Sequence, residues 1–313
     1  GATTISRRQL SNCTVTVEPA SYTYTGATIT PTLKVMDGNQ ELTEGVDYEI
    51  VDVQNGVNVG TATVIIAGKD QNEAGDGIYD PTNTASATFE ITPANAEDIE
   101  VQFADDNTGV TYTGKNLKPT VVNVTLNGND VTDEFDIIYP TDNINVGKGH
   151  VTLTPVTNNK NFIGTKTAEF DILARELTGT IRVFDEDGKE YGYGGDGYLY
   201  DSNGQKVSFD YDGKEHTFTA TFTPSGSYAR LVTENDYEIK YIDNVFGLKA
   251  YICVIGKGNF AGSEKITDAN DEVVTSIVAG TAKAFDINKY ELKAQHVTFG
   301  DAEYAGGAGA KPQ

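Results

Sequence analysis

Residues 22–31 read YTYTGATITP, a short alternating run that turns at a Tyr-x-Gly, and the phrase returns three times: YTG at Tyr112 to Gly114, YDG at Tyr211 to Gly213, and YAG at Tyr304 to Gly306. Counted from Tyr24, successive tyrosines stand 88, 99 and 93 residues apart. That period is too long for a solenoid coil and suits a whole small domain, so each copy marks one domain.

Working outward from the phrase, further landmarks keep step with it. NVG ends at Gly60 and again at Gly147, and NVFG ends at Gly247. Strand-like runs precede them as DYEI from Asp47, FDII from Phe135 and DYEI from Asp236; others follow as TATVIIAGK, GHVTLTPV and AYICVIGKG. Each unit closes on Phe-acid-Ile at Phe89, Phe170 and Phe285. Inside these runs apolar residues alternate with the period of two of a half-buried strand: Ala62, Val64 and Ile66 share one face, as do Gly149, Val151 and Leu153. Many short strands separated by turn residues predict an all-β fold of antiparallel sandwiches. The alternative, a β-grasp-like repeat, needs a covering helix, and no run has the pattern of one.

In this reading the repeated phrase is scaffold. Its tyrosine supplies a ring and a hydroxyl that can bond backbone at a corner, and its glycine supplies a positive φ. Pro31 and Pro119, each seven residues after their tyrosine, suit an edge strand, since proline donates no ladder hydrogen bond. Phe218 takes that place in the third copy.

Composition agrees with the strands and narrows the partners. The chain of 313 residues holds 33 glycines, and 46 acidic against 23 basic residues leave a net charge of -23. Such a polyanion repels nucleic-acid backbones and anionic lipid surfaces. No apolar run is long enough to span a bilayer, and GATTISRRQL lacks the apolar centre of a signal peptide, so a soluble protein or a piece of a larger one is expected. Cys13 and Cys253, in different units, are expected to be unpaired thiols.

The order Tyr-x-Gly, Asp-Tyr-x-Ile, Asn-Val-Gly, Gly-Lys-Gly-Asn-Phe and Phe-x-Ile resembles the tandem extracellular repeats of large Firmicutes surface proteins, the MBG-type or bacterial Ig-like domains. GKGNFAG from Gly256 carries the fourth element intact; NNKNFIG in the second unit is close, and GKDQNEAGDGIYD in the first departs from it. The resemblance covers nearly the whole chain and implies export, a place on the cell surface, and repeats in series. The units then span 9–94, 95–175 and 176–288, with 289–313 starting a fourth. Their short joins predict an elongated, semi-rigid, monomeric array.

Catalysis is not expected: His150, His216 and His296 fall at unrelated positions, and no nucleophile elbow, phosphate loop or metalloprotease motif occurs. DEDG at Asp185, DSNG at Asp201 and the loop around Asp76 offer oxygen ligands of the type calcium takes, without a full calcium-loop ladder, so solvated acidic turns are the simpler reading. The third unit carries two insertions, KEYGYGGDGYLYDSNGQK and ITDANDEVVTSIVAGTAK. The first sets Tyr191, Tyr193, Tyr198 and Tyr200 beside Asp196, aromatic faces next to an acid, which can hold a sugar ring or a protein surface. A host or plant glycan, a mucin or a matrix protein is the matching partner. Tyrosines at i and i+2 also suit the core of an added hairpin.

Overall fold

The structure, a computed structural model, describes residues 6–69, 78–104, 109–246 and 248–290. Asp76, His296 and the repeat start at Tyr304 lie outside these residues. The described residues are all β: the strands are linked by turns and by 3₁₀ turns such as Thr132–Glu134, with no α-helix among them. Contacts divide them into two compact units, one running up to Val110 and resuming at Lys115–Ile172, the other joining Thr111–Gly114 to the chain from Leu173 onward.

One strand arrangement occurs three times. In the first repeat the sheet runs Ser21–Thr23, Thr84–Thr92, Gly60–Gly68, Tyr48–Gln54, and in the second it runs Val110–Thr111, Lys166–Leu173, Gly147–Pro155, Phe135–Ile138. In the third, Ser208–Asp210, Lys283–Asn288, Lys249–Gly256 and Tyr237–Ile242 follow the same order. A smaller sheet accompanies each: Thr14–Val17 with Leu33–Asp37, Glu100–Phe103 with Val121–Leu126, and Gly179–Phe184 with Thr219–Pro224. Most pairs are antiparallel, as the alternation predicts. Within the larger sheets of the first and third repeats the strand before Tyr-x-Gly is the exception: Ser21 pairs with Glu90, and Ser208 with Asp286, in parallel. A strand entering beside the last strand of its own repeat, with the other strands between them in sequence, arrives in the same direction.

The core lies on the predicted faces. Ala62, Val64 and Ile66 are fully buried, as are Val151 and Leu153, and Ala250, Ile252 and Val254 in the third repeat. In the first repeat Leu10, Val35, Leu42, Tyr48, Ile66 and Tyr79 form one cluster that joins both sheets. Burying such side chains contributes about 1.5–3 kcal/mol each, which sets the strand register.

The second insertion of the third repeat is a hairpin, Glu264–Thr267 against Val273–Ile277, joined to the main sheet where Ile255 pairs with Ile277. It covers a face of that sheet: its Ile277 is buried with Cys253 and Ile242, and its Ile266 and Val274 pack against them. This explains why Cys253, on the opposite face from Ile252, is also fully buried. Both cysteines are free thiols.

Candidate functional site

The tyrosine-rich insertion folds as a small hairpin in which Gly192 and Tyr193 pair with Tyr200 and Leu199. Leu199 is its buried anchor. Tyr193 donates its hydroxyl to the Ile181 carbonyl at 2.8 Å, and the Lys283 ammonium lies 4.5 Å from its ring centre. Tyr198 carries Lys206 and Lys249 at 3.8 and 4.9 Å from its ring centre. Asp196 accepts the Tyr200 hydroxyl at 2.9 Å and pairs with Lys206 at 2.8 Å. The Lys206 hydrogen bond, with the Tyr200 hydroxyl, depresses the Asp196 carboxyl to about 2. Tyr198, Tyr200 and Asp196 thus form one lysine-centred group, with Tyr193 under a different lysine. Tyr191 turns away, its ring edge on Phe218 at 5.5 Å, and lines a cleft of about 500 Å³ with Phe184, Phe209, Asp185 and Asp187.

The acidic turns have a structural use. Asp185 Oδ1 accepts the amides of Asp187 and Lys189, and Asp201 Oδ1 those of Asn203 and Gln205, at 2.7 to 3.1 Å. Asp268 does the same for Asn270 and Glu272. Each carboxylate holds its own hairpin turn, the reason aspartate is favoured there. Among the described residues no group of three or more His, Cys, Asp or Glu side chains is placed to hold a metal ion.

A second constellation was not foreseen as a site. Tyr24 does not tie a corner of its own repeat; its side chain leaves that repeat and enters the next one. It is 3 % exposed, its ring makes a T-shaped contact with Phe162 at 5.3 Å between centroids, and its hydroxyl donates to Glu134 Oε1. Glu134 Oε2 in turn accepts from Asn159 and Asn161, each at 2.9 Å. Burial and the adjacent carboxylate raise the Tyr24 hydroxyl well above the usual phenol range, so it stays a donor. Asn161 also reaches back to the first repeat, donating to Asn58 Oδ1 and accepting from the Val59 amide, both at 3.0 Å. Asn129 donates to the Thr25 carbonyl at 2.9 Å. Gly26, at φ +82°, lies so near Asn129 that an added Cβ would sit 3.0 Å from that residue's own.

The join itself is hydrogen bonded. Ala94–Asn95 pairs in parallel with Phe162–Ile163, and the Ala94 amide donates to the Asn161 carbonyl at 2.9 Å. The second unit repeats this pattern. Tyr112, 8 % exposed, makes a T-shaped ring contact with Phe260 at 5.5 Å; Arg175–Glu176 pairs with Phe260–Ala261; and a Cβ on Gly114 would meet Leu231 at 2.6 Å. The Arg175 guanidinium donates to the Tyr112 carbonyl and covers the Tyr228 ring at 3.8 Å.

The corner that Tyr24 was expected to hold is tied by other tyrosines. The Tyr22 hydroxyl accepts the Thr32 amide at 2.9 Å in the first repeat. Tyr139 bonds the Pro119 carbonyl in the second, and Tyr241 the Phe218 backbone in the third. No family model and no curated protein matches the chain.

Proposed function

We propose that the chain is a non-catalytic stretch of tandem Ig-like β-sandwich repeats from an exported bacterial cell-surface protein, serving as a spacer that holds a distal domain away from its anchor. The observation that carries this reading is the Tyr24 junction. The phrase conserved between the repeats is spent on holding one repeat to the next, in both compact units, rather than on lining a cleft. The finer fold rests on the two sheets that share one core, and on the parallel pairing of the first and last strands of the larger sheet. No helix covers either sheet among the described residues, which disfavours the β-grasp alternative. The surface location rests on the motif resemblance and on the absence of an electrostatic match to nucleic acid.

Antibodies raised against the chain should label intact cells of the source organism. Labelling seen only after permeabilisation would overturn the location. Exchanging the segment for an unrelated spacer of equal length should restore the function of the full-length protein, and failure to do so would overturn the spacer role.

The second reading, an adhesin or glycan-binding module, is favoured by the cleft at Tyr191, where aromatic rings meet Asp185 and Asp187. A glycan array probed with the intact chain should then give binding that Tyr191→Ala removes. Binding unchanged by that substitution would exclude this cleft.

A further inference from the structure

Tyr211 repeats the backbone of Tyr24 and Tyr112 without their burial. Its amide donates to the Asn288 carbonyl at 3.1 Å, as those of Tyr24 and Tyr112 donate to Thr92 and Leu173 at 2.8 and 2.9 Å. Gly213 has φ +75°, matching +82° at Gly26 and +74° at Gly114. Where a Cβ at Gly26 would meet Asn129 and one at Gly114 would meet Leu231, a Cβ at Gly213 would find only the Tyr211 hydroxyl, at 3.8 Å. The Tyr211 side chain is 36 % exposed, against 3 % for Tyr24 and 8 % for Tyr112.

The surroundings fit the same register. Phe246 occupies the place of Val59, just before the glycine of the Asn-Val-Gly landmark, and Val59 is the residue whose amide bonds the following repeat. Phe246 is 77 % exposed and its neighbour Leu248 60 %. Together with Tyr211 and Ile287 they line a shallow apolar cleft. Large exposed apolar residues gathered in one place mark a contact surface on a soluble protein. Tyr290 stands two residues past the last strand, as Ala94 and Arg175 do, and Tyr290-Glu291-Leu292 repeats the order Arg175-Glu176-Leu177.

We propose that the Tyr211, Phe246 and Leu248 face is the upstream half of a third junction, and that its occupant is a further repeat of this same kind, whose Asn-Phe corner receives the Tyr211 ring. Continuity with the two junctions already formed chooses this occupant. The same backbone presents the same tyrosine, and Tyr290 holds in the sequence the position that Ala94 and Arg175 hold at the start of the strands that pair with the next repeat. The partner must therefore offer an aromatic ring in T-shaped contact with the Tyr211 ring, as Phe162 and Phe260 stand to Tyr24 and Tyr112. The proposal rests on the serial-repeat part of the proposed function and not on the cell-surface location, so a failed intact-cell labelling experiment leaves it standing.

Hydroxyl-radical footprinting read by mass spectrometry tests it on two proteins: this chain, and the same chain extended by the sequence its gene encodes after Gln313. In the present chain Tyr211 and Phe246 should oxidise readily while Tyr24 and Tyr112 are protected. In the extended chain Tyr211 and Phe246 should fall to the level of Tyr24, and Tyr193 should stay reactive in both. Unchanged oxidation of Tyr211 in the extended chain, or a gene that encodes no further repeat, would overturn the proposal. Protection of Tyr211 that grows with the concentration of the present chain would assign the face to a second copy and also overturn it. Melting gives an independent reading: Tyr211→Ala should leave the melting temperature of the present chain unchanged and lower that of the extended one. A loss of equal size in both would make Tyr211 a residue of its own repeat.

Discussion

Replacing Tyr24 by Phe keeps the ring against Phe162 and deletes the hydrogen bond to Glu134, whose other oxygen still holds Asn159 and Asn161. Hydrogen bonds to charged groups contribute about 1.5–3 kcal/mol, and the loss should fall in that range. Tyr24→Ala also vacates the space against Phe162 and should cost about 3–5 kcal/mol. Denaturant melts of the variants check the order; equal losses would mean that the hydroxyl contributes nothing. At Asp196 the folded carboxyl is held below its ordinary value, at about 2, by Lys206 and Tyr200. The stabilisation it contributes is complete above the ordinary carboxylate range and is lost as pH falls toward 2. Carbon-detected titration should find Asp196 among the last carboxylates to protonate, and Lys206→Met should move its midpoint upward.

Among the elements, the strands and their inward faces were legible because period-two alternation is written into each run, and Ala62, Val64, Ile66, Val151 and Leu153 are buried as read. The turn aspartates were legible as turns for the same local reason. The destination of the Tyr24 side chain was not, because a lone repeat motif carries no mark of whether its tyrosine points into its own repeat or the next. The signal that could have shown it is the supply of other corner tyrosines: Tyr22, Tyr139 and Tyr241 already fill that role. An added hairpin was a legible reading of the second insertion, but its packing over Cys253 was not, since those apolar contacts join residues of separate strands. Burial pushes the Cys253 thiol up to about 11, which leaves almost no thiolate at neutral pH. A thiol reagent should therefore modify Cys13, which is partly exposed, well before Cys253. Ile277→Asp, which puts a charge beneath the hairpin, should make Cys253 reactive without full unfolding. Equal rates for both thiols in the unaltered chain would contradict the buried cluster.

For the whole molecule, contacts place the first repeat and most of the second in one compact unit. The Tyr24, Asn58, Asn129 and Asn161 contacts should make these two repeats melt as one cooperative transition. Tyr24→Ala should split it in two, as calorimetry would show. A split already present in the unaltered chain would mean that the junction does not couple the repeats.

The parallel pairing of Ser21–Thr23 with Thr84–Thr92 has a mechanical consequence. The chain enters this pair at Ser21, beside Glu90, and leaves it past Thr92, beside Thr23. Tension that reaches the two strands from opposite ends slides one along the other, so their slanted hydrogen bonds are strained together instead of being peeled apart singly. Ser208–Asp210 and Lys283–Asn288 are arranged in the same sense. A chain drawn taut through these repeats would therefore meet its resistance in shear, at the strands that lead into Tyr24 and Tyr211.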